Sequence, residues 1–242
     1  MYPTICKIGP LVIYSYGLML ALAFVVSLIL IREQAKKNKA DFDLFFNLCF
    51  VVFIFGIIGA RVFYIGQNLF YYIENPLEMV MLQHGGMSWF GGLIAGTWAG
   101  IIFIKKKKLP VYQTLDFIVP YVALSQAIGR IGCLLNGCCY GKPSEYGLYF
   151  PVHDAALIPT QVYSSLIMVF IFLILRFLQD RPHKAGQILF LYLLFYSTKR
   201  FFIEFWRDDN TVIFSGMTLF QLLSIAIFFL AIVKLISINK AK

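Results

Sequence analysis

The sequence predicts an all-α polytopic membrane protein: about seven transmembrane helices with an interfacial arm and an outer-leaflet cavity, in a single transmembrane domain over residues 1–242. Composition and charge placement predict it. Hydrophobic residues make up 60% of the chain and charged ones 14%, outside the range of soluble domains. Mean hydropathy is +0.78. The apolar residues fall in uninterrupted stretches near the length a bilayer requires, and the basic residues cluster between them.

Taken in order, the spans are Leu11 to Ile31, Leu44 to Gly66, Met87 to Ile104, Leu115 to Ile131, Thr160 to Leu178, Gly186 to Ile203 and Gly216 to Leu235. Positively charged short loops stay cytoplasmic. The basic groups Arg32 to Lys39, Lys105 to Lys108, Arg176 to Lys184 and Lys234 to Lys242 follow the first, third, fifth and seventh spans. That pattern predicts an N-terminus outside and a C-terminus inside. No basic segment precedes the first span, so it is expected to be retained rather than cleaved. The net charge of +9 is then an orientation signal with affinity for anionic headgroups; basic residues scattered over several loops exclude a nucleic-acid partner.

Residues 67–85 mix aromatics with Glu74 and Glu78 and are interrupted by Pro76, which suits an arm lying in the outer interface. From Asn136 to Pro159 the outer loop shows no helical pattern, and loops of that length are often functional.

Gly129 to Gly141, GRIGCLLNGCCYG, is the densest collection of functional residue types: Arg130, Asn136, Cys133, Cys138, Cys139 and four glycines at the end of an apolar span. Charge in lipid is costly unless it faces a bundle interior or a wet cavity, which makes Arg130 a site residue. In the sixth span Tyr196, Arg200 and Glu204 fall at i, i+4 and i+8, with Arg207 a turn later, on one helical face. One reading is an interfacial anchor; the other is a phosphate clamp, since a guanidinium donates in pairs to phosphate oxygens.

Cys6 and Cys49 read as packing residues. Cys133 and Cys138 lie five apart facing an oxidising compartment, which allows a structural disulfide; a vicinal Cys138–Cys139 bridge would be strained. The C-x4-C-C spacing matches no zinc pattern and no neighbouring histidine completes one, so neither metal nor cofactor is expected. His84 and His153 are solvated interface residues or imidazole bases, His183 belongs to a cytoplasmic loop, and Asp116 and Pro120 read as an inner-end polar residue and a kink.

Six segments of the chain resemble the prolipoprotein diacylglyceryl transferases. They are Ile13-Tyr14-Ser15-Tyr16-Gly17-Leu18; Gly59-Ala60-Arg61; Gly85-Gly86-Met87-Ser88 with Gly91-Gly92-Leu93-Ile94; Gly129-Arg130-Ile131-Gly132 with Asn136-Gly137; Pro159-Thr160-Gln161-Val162-Tyr163; and Tyr196 with Arg200 through Arg207. The resemblance implies a transferase of the bacterial cytoplasmic membrane. It would move the diacylglyceryl group of phosphatidylglycerol to the lipobox cysteine of a preprolipoprotein signal peptide, releasing glycerol 1-phosphate. It further implies that Arg130 and Arg200 serve the phosphate, that Glu204 holds Arg200 or orients a donor, and that Tyr16 and Tyr196 position headgroup oxygens. Asn136 and Gly137 would shape the pocket, with Arg61, Gly91, Gly92 and Cys139 also on the substrate.

Three departures fall at the chemistry. Phe90 stands where the family pattern has histidine, Cys133 where it has asparagine, and Cys138 where it has glutamate. Two accounts follow. In one, the arginines carry an ordinary transfer and the incoming thiol ionises in their field. In the alternative, a divergent paralogue uses Cys133, Cys138 and Cys139 for lipid or thiol chemistry through a thiolate beside Arg130, or binds phospholipid without catalysis.

Overall fold

The computed structural model describes residues 2–8, 11–81, 85–208, 210–214 and 216–240. Its helices are α1 (Ser15–Lys37), α2 (Phe42–Gln67), the short α3 (Leu69–Glu74), α4 (Trp89–Lys106), α5 (Val111–Asn136), α6 (Thr160–Gln179), α7 (Gln187–Glu204) and α8 (Leu219–Lys240). By length and composition α1, α2, α5, α6 and α8 can each cross a membrane. The chain is a multi-pass, mainly helical membrane protein.

Three small antiparallel hairpins decorate the helices: β1 (Thr4–Ile8) with β2 (Leu11–Tyr14), β3 (Pro143–Phe150) with β4 (Ala155–Leu157), and β5 (Val212–Phe214) with β6 (Met217–Thr218). The first corrects the sequence expectation of a helix from Leu11. The run Leu11–Tyr14 is apolar but pairs as a strand, and the helix begins at Ser15, whose N–H donates to the Pro3 carbonyl at 2.9 Å and whose hydroxyl donates to the Tyr2 carbonyl. Apolar runs this short do not distinguish strand from helix.

The fold divides into two compact units, Ile31–Thr114 and the remainder, Met1–Leu30 with Leu115–Lys242. In the first, α2 and α4 cross through glycine. A Cβ on Gly59 would lie 2.6 Å from the Gly91 carbonyl oxygen, and one on Gly91 would meet the Gly59 carbonyl. Small residues let helix backbones approach where lipid supplies no hydrophobic drive. Arg61, 5% exposed, points its guanidinium into the arm, donating to the carbonyls of Met79 at 3.1 Å, Gly86 at 3.0 Å and Met81 at 3.2 Å, and to those of Glu78 and Gly85. The arm itself is α3 followed by a 3₁₀ turn, Pro76–Met79.

In the second unit, α6 is turned inside out relative to a soluble helix. Gln161, Ser164, Ser165 and Gln179 are buried, while Leu166, Phe170, Leu173 and Phe177 form an exposed apolar stripe. The inner face packs Met168, Ile171 and Leu175 on Val119, Ala123 and Ala127 of α5 and on Ile188 and Tyr192 of α7. Pro120 cannot donate to the Asp116 carbonyl four residues back. Gln179 answers it, its Nε2 donating to the carbonyls of Asp116 at 3.1 Å and Phe117 at 2.8 Å. The Asp116 carboxylate meanwhile accepts from the N–H groups of Gly186 at 2.5 Å and Leu189 at 2.8 Å, capping the start of α7 from another helix.

Gln179→Leu leaves the Pro120-freed carbonyl buried without a donor. A loss of about 1–3 kcal/mol is expected. Thermal unfolding in detergent should show a lowered midpoint with helix content unchanged before the transition.

Candidate active site

The end of α5 sets the geometry. Gly137 adopts φ 74°, its N–H donates to the Leu134 carbonyl at 3.2 Å, and the Cys138 N–H reaches back to the Cys133 carbonyl at 3.1 Å. These paired bonds are a Schellman motif with glycine in the left-handed position after the helix. The motif brings together the side chains three residues before the cap and two after it, ordinarily an apolar pair. Here both are cysteine.

Cys139 follows with a left-handed backbone of its own, φ 64°, and turns its thiol toward the other two. The sulfurs of Cys133, Cys138 and Cys139 all lie within 4.8 Å of one another, with Cys133 buried and the other two half-buried. All three are free thiols, and the Cys133–Cys138 disulfide that the spacing allows is not formed. The Cys138 thiol donates to the Cys133 carbonyl at 3.7 Å, and the neighbouring thiols of Cys133 and Cys138, with Arg207 and Arg130 nearby, hold the Cys139 thiol well below the ordinary range.

Three side chains pin this loop from outside it. Thr160 Oγ1 donates to the Cys139 carbonyl at 2.6 Å and Gln161 Nε2 to the Cys138 carbonyl at 2.7 Å, both from the first turn of α6. His153, its ring tilted against that of Tyr140 with centroids 4.1 Å apart, donates from Nε2 to the Gly137 carbonyl at 2.9 Å. The imidazole weighed as a base in the sequence is therefore a clamp on the cysteine loop. Beyond it, Gly141 pairs with Arg207 in an isolated bridge and the Lys142 N–H donates to the Trp206 carbonyl at 2.8 Å. A Cβ on Gly141 would come within 2.6 Å of that same carbonyl oxygen. The close approach ties the cysteine loop to the end of α7.

On α7, Arg200 Nη2 pairs with Glu204 Oε2 at 3.1 Å, both side chains buried. Glu204 Oε1 accepts from Asn210 Nδ2 and Thr218 Oγ1, each at 2.8 Å. The Arg200 guanidinium lies 4.2 Å from the centroid of the Phe220 ring. One turn from Tyr196 stands Lys199, 7% exposed, its Nζ donating to Ser164 Oγ at 3.0 Å and 4.9 Å from the Tyr196 ring centroid. Arg130, Arg200 and Arg207 all exert a like-charge effect on Lys199. Lys199 thus lies within electrostatic reach of cations from α5 and α7, and Arg130 forms no ion pair among the described residues. Lys199 was not singled out in the sequence, although its position on the Tyr196–Arg200 face carried the signal.

Tyr16 joins this group: a Cβ on Gly132 would lie 3.2 Å from its ring, and its hydroxyl lies within electrostatic reach of Arg130 and the three cysteines. Tyr196 stacks on Tyr192 with centroids 5.8 Å apart. Asn136 is the last residue of α5, beside Gly137. Arg61, Gly91 and Gly92 belong to the other unit, where Arg61 holds the arm and the glycines form the α2–α4 crossing. Phe90 is there too, edge-on to Trp89. His84 lies outside the described residues. Near the start of α6 an apolar cleft of about 550 Å³ is lined by Tyr146, Ile158, Pro159, Tyr163, Leu166 and Trp206, among others, and runs into the exposed α6 stripe.

Residues 3–237 match the family described as Prolipoprotein diacylglyceryl transferase. A protein of Clostridium tetani (strain Massachusetts / E88) named Phosphatidylglycerol--prolipoprotein diacylglyceryl transferase is 36% identical over 216 residues, 86% of this chain and 86% of the relative. Proteins of the same name are 33% identical over 247 residues in Staphylococcus xylosus, covering 97% of this chain and 88% of theirs, and 33% identical over 243 residues in Staphylococcus aureus (strain MSSA476), covering 95% and 86%.

Gly137→Ala places a Cβ in the left-handed region, costing about 1–2 kcal/mol, and loosens the cap that gathers the thiols. Mass-resolved alkylation should show Cys133, buried in the parent, reacting faster in the variant.

Proposed function

The chain belongs to the prolipoprotein diacylglyceryl transferase family, and from that premise we propose that it transfers the diacylglyceryl group of phosphatidylglycerol to the lipobox cysteine thiol of a preprolipoprotein signal peptide. In that reaction the acceptor sulfur attacks C3 of the glycerol carrying the acyl chains. The C–S bond forms, the C–O bond to phosphorus breaks, and glycerol 1-phosphate departs with the bonding pair. The chemistry requires donors for a phosphate whose charge grows as the bond breaks, and a thiol that has lost its proton.

The observation that carries the reading is Arg200 fixed by Glu204 and Phe220, with Arg130, Arg200 and Arg207 all within electrostatic reach of Lys199. Arg130 is the natural partner for the phosphate. Arg200 is preorganised by its ion pair, so its remaining donors need no reorganisation as charge develops. Tyr16 and Tyr196 would orient headgroup oxygens, with Asn136 and Gly137 shaping the floor. The apolar cleft beside Tyr163 and Trp206 gives the acyl chains a lateral route from lipid.

Helix ends support the orientation read from the loops. Basic residues occupy the last turns of α1, α4, α6 and α8. None occupies the last turn of α2, α5 or α7. That alternation is what a bacterial cytoplasmic membrane protein with its N-terminus outside and C-terminus inside would show. In that orientation the cysteine loop and the end of α7 would lie at the outer face, where a secreted signal peptide would present its lipobox.

Incubating purified protein with phosphatidylglycerol and a lipobox peptide should add one diacylglyceryl unit to the peptide cysteine, read by intact mass. No gain, with an active family member working in the same mixture, would refute the assignment. Arg130→Ala and Arg200→Ala should each lower the rate by about 10²-fold or more. Arg200→Lys should recover only part of it, because ammonium lacks the planar fork.

A further inference from the structure

We propose that Cys133, Cys138 and Cys139 form a three-thiolate zinc site whose open fourth position takes the acceptor thiol and holds it as a thiolate for transfer. The inference rests on the transferase reading above for the role of the metal, but not for the existence of the site.

The sequence spacing argues against zinc, but the fold overrides the spacing. Tetrahedral zinc with Zn–S bonds near 2.3 Å separates its sulfurs by about 3.8 Å. The three sulfurs here lie within 4.8 Å of one another, so rotamer adjustment of about 1 Å suffices. The Schellman motif brings Cys133 to Cys138, and the left-handed Cys139 brings the third sulfur in. A metal site also requires its ligands to be held by an outer shell. Thr160, Gln161 and His153 supply one by fixing the carbonyls of Cys139, Cys138 and Gly137.

Three protein ligands with one open position is the stoichiometry of catalytic rather than structural zinc. Among the described residues no fourth histidine, cysteine or carboxylate joins the group. His153 is turned to the Gly137 carbonyl through Nε2. Charge favours the same occupant. Zn²⁺ with three thiolates carries a net charge of about −1, and Arg130, one turn before Cys133 on α5, and Arg207, bridged to Gly141, are at hand to offset it. A fourth, substrate thiol that ligates this zinc loses its proton to water. It remains nucleophilic because the thiolate-rich metal is a weak Lewis acid. Attack on the glycerol carbon then forms C–S, breaks C–O with the electron pair leaving on the phosphate, and yields a thioether that binds zinc poorly and departs.

The test uses the full chain in detergent, kept reduced with a phosphine, loaded with zinc and passed over a chelating resin. One zinc per chain is expected by elemental mass spectrometry. Cys133→Ser, Cys138→Ser and Cys139→Ser should each weaken binding by more than the roughly 10- to 100-fold that losing an outer-shell partner costs. In the cobalt-substituted parent, which needs no variant to fold, a lipobox peptide should intensify the thiolate-to-cobalt charge-transfer band, and the same peptide with serine for cysteine should not. Zinc absent from the reduced parent, or retained in the triple serine variant, overturns the site. Transfer at full rate after zinc is stripped overturns its role. Zinc and peptide ligation without any transfer would leave the site standing and instead refute the transferase assignment.

Discussion

One carboxylate at the end of α7 fixes the relation between three separate pieces of chain. Glu204 pairs with Arg200 through one oxygen and accepts from Asn210 and Thr218 through the other, both partners lying beyond the end of α7. A charge buried in a helical bundle within lipid has no water to fall back on, so every one of these contacts is obligatory in a way it would not be on a soluble surface. The consequence reaches the chemistry. Arg200 is held by Glu204 on one side and by the Phe220 ring on the other, so its guanidinium is positioned before any substrate arrives.

The same requirement accounts for features distant from the site. Pro120 breaks the ladder of α5 and Gln179 repairs it, while Asp116 closes the open start of α7. Lys199 finds Ser164 and the face of Tyr196. Arg61 gives its donors to five carbonyls of the arm segment, which holds that segment to α2 beside the Tyr64–Tyr72 ring contact. Most polar residues of the bundle thus complete the backbone or one another, while Arg130 forms no ion pair among the described residues.

Helix positions were legible because lipid imposes one rule, continuous apolar length, that a single sequence records directly. The β1–β2 hairpin was not, since Leu11–Tyr14 satisfies that rule while hydrogen-bonding to a neighbour strand. The Tyr196–Arg200–Glu204 face could be read from helical spacing. What Glu204 touches on its far side could not, because Thr218 comes from a later turn of chain. Asp116 looked like an end-of-helix polar residue, and its partner Gly186 is 70 residues away. The cysteines were visible, but linear spacing was the wrong measure. Gly137 was the informative residue, because a glycine placed after a helix announces a left-handed cap, and such a cap makes neighbours of residues five apart.

That cap also argues against treating the three thiols as a drift of sequence. An ordinary Schellman pair needs only two apolar side chains, and almost any pair would serve. A left-handed cysteine costs about 1–3 kcal/mol where glycine would cost nothing, and strain of that kind persists when the surroundings over-determine it. They do so here: Cys139 is held at its carbonyl by Thr160, and the loop that follows is locked to Trp206 through Gly141 and Lys142. Packing explains none of this expense, since Cys138 and Cys139 are only half-buried. What the arrangement achieves is the convergence of three sulfurs, and converging soft donors suit a soft, electron-poor centre rather than the filling of space.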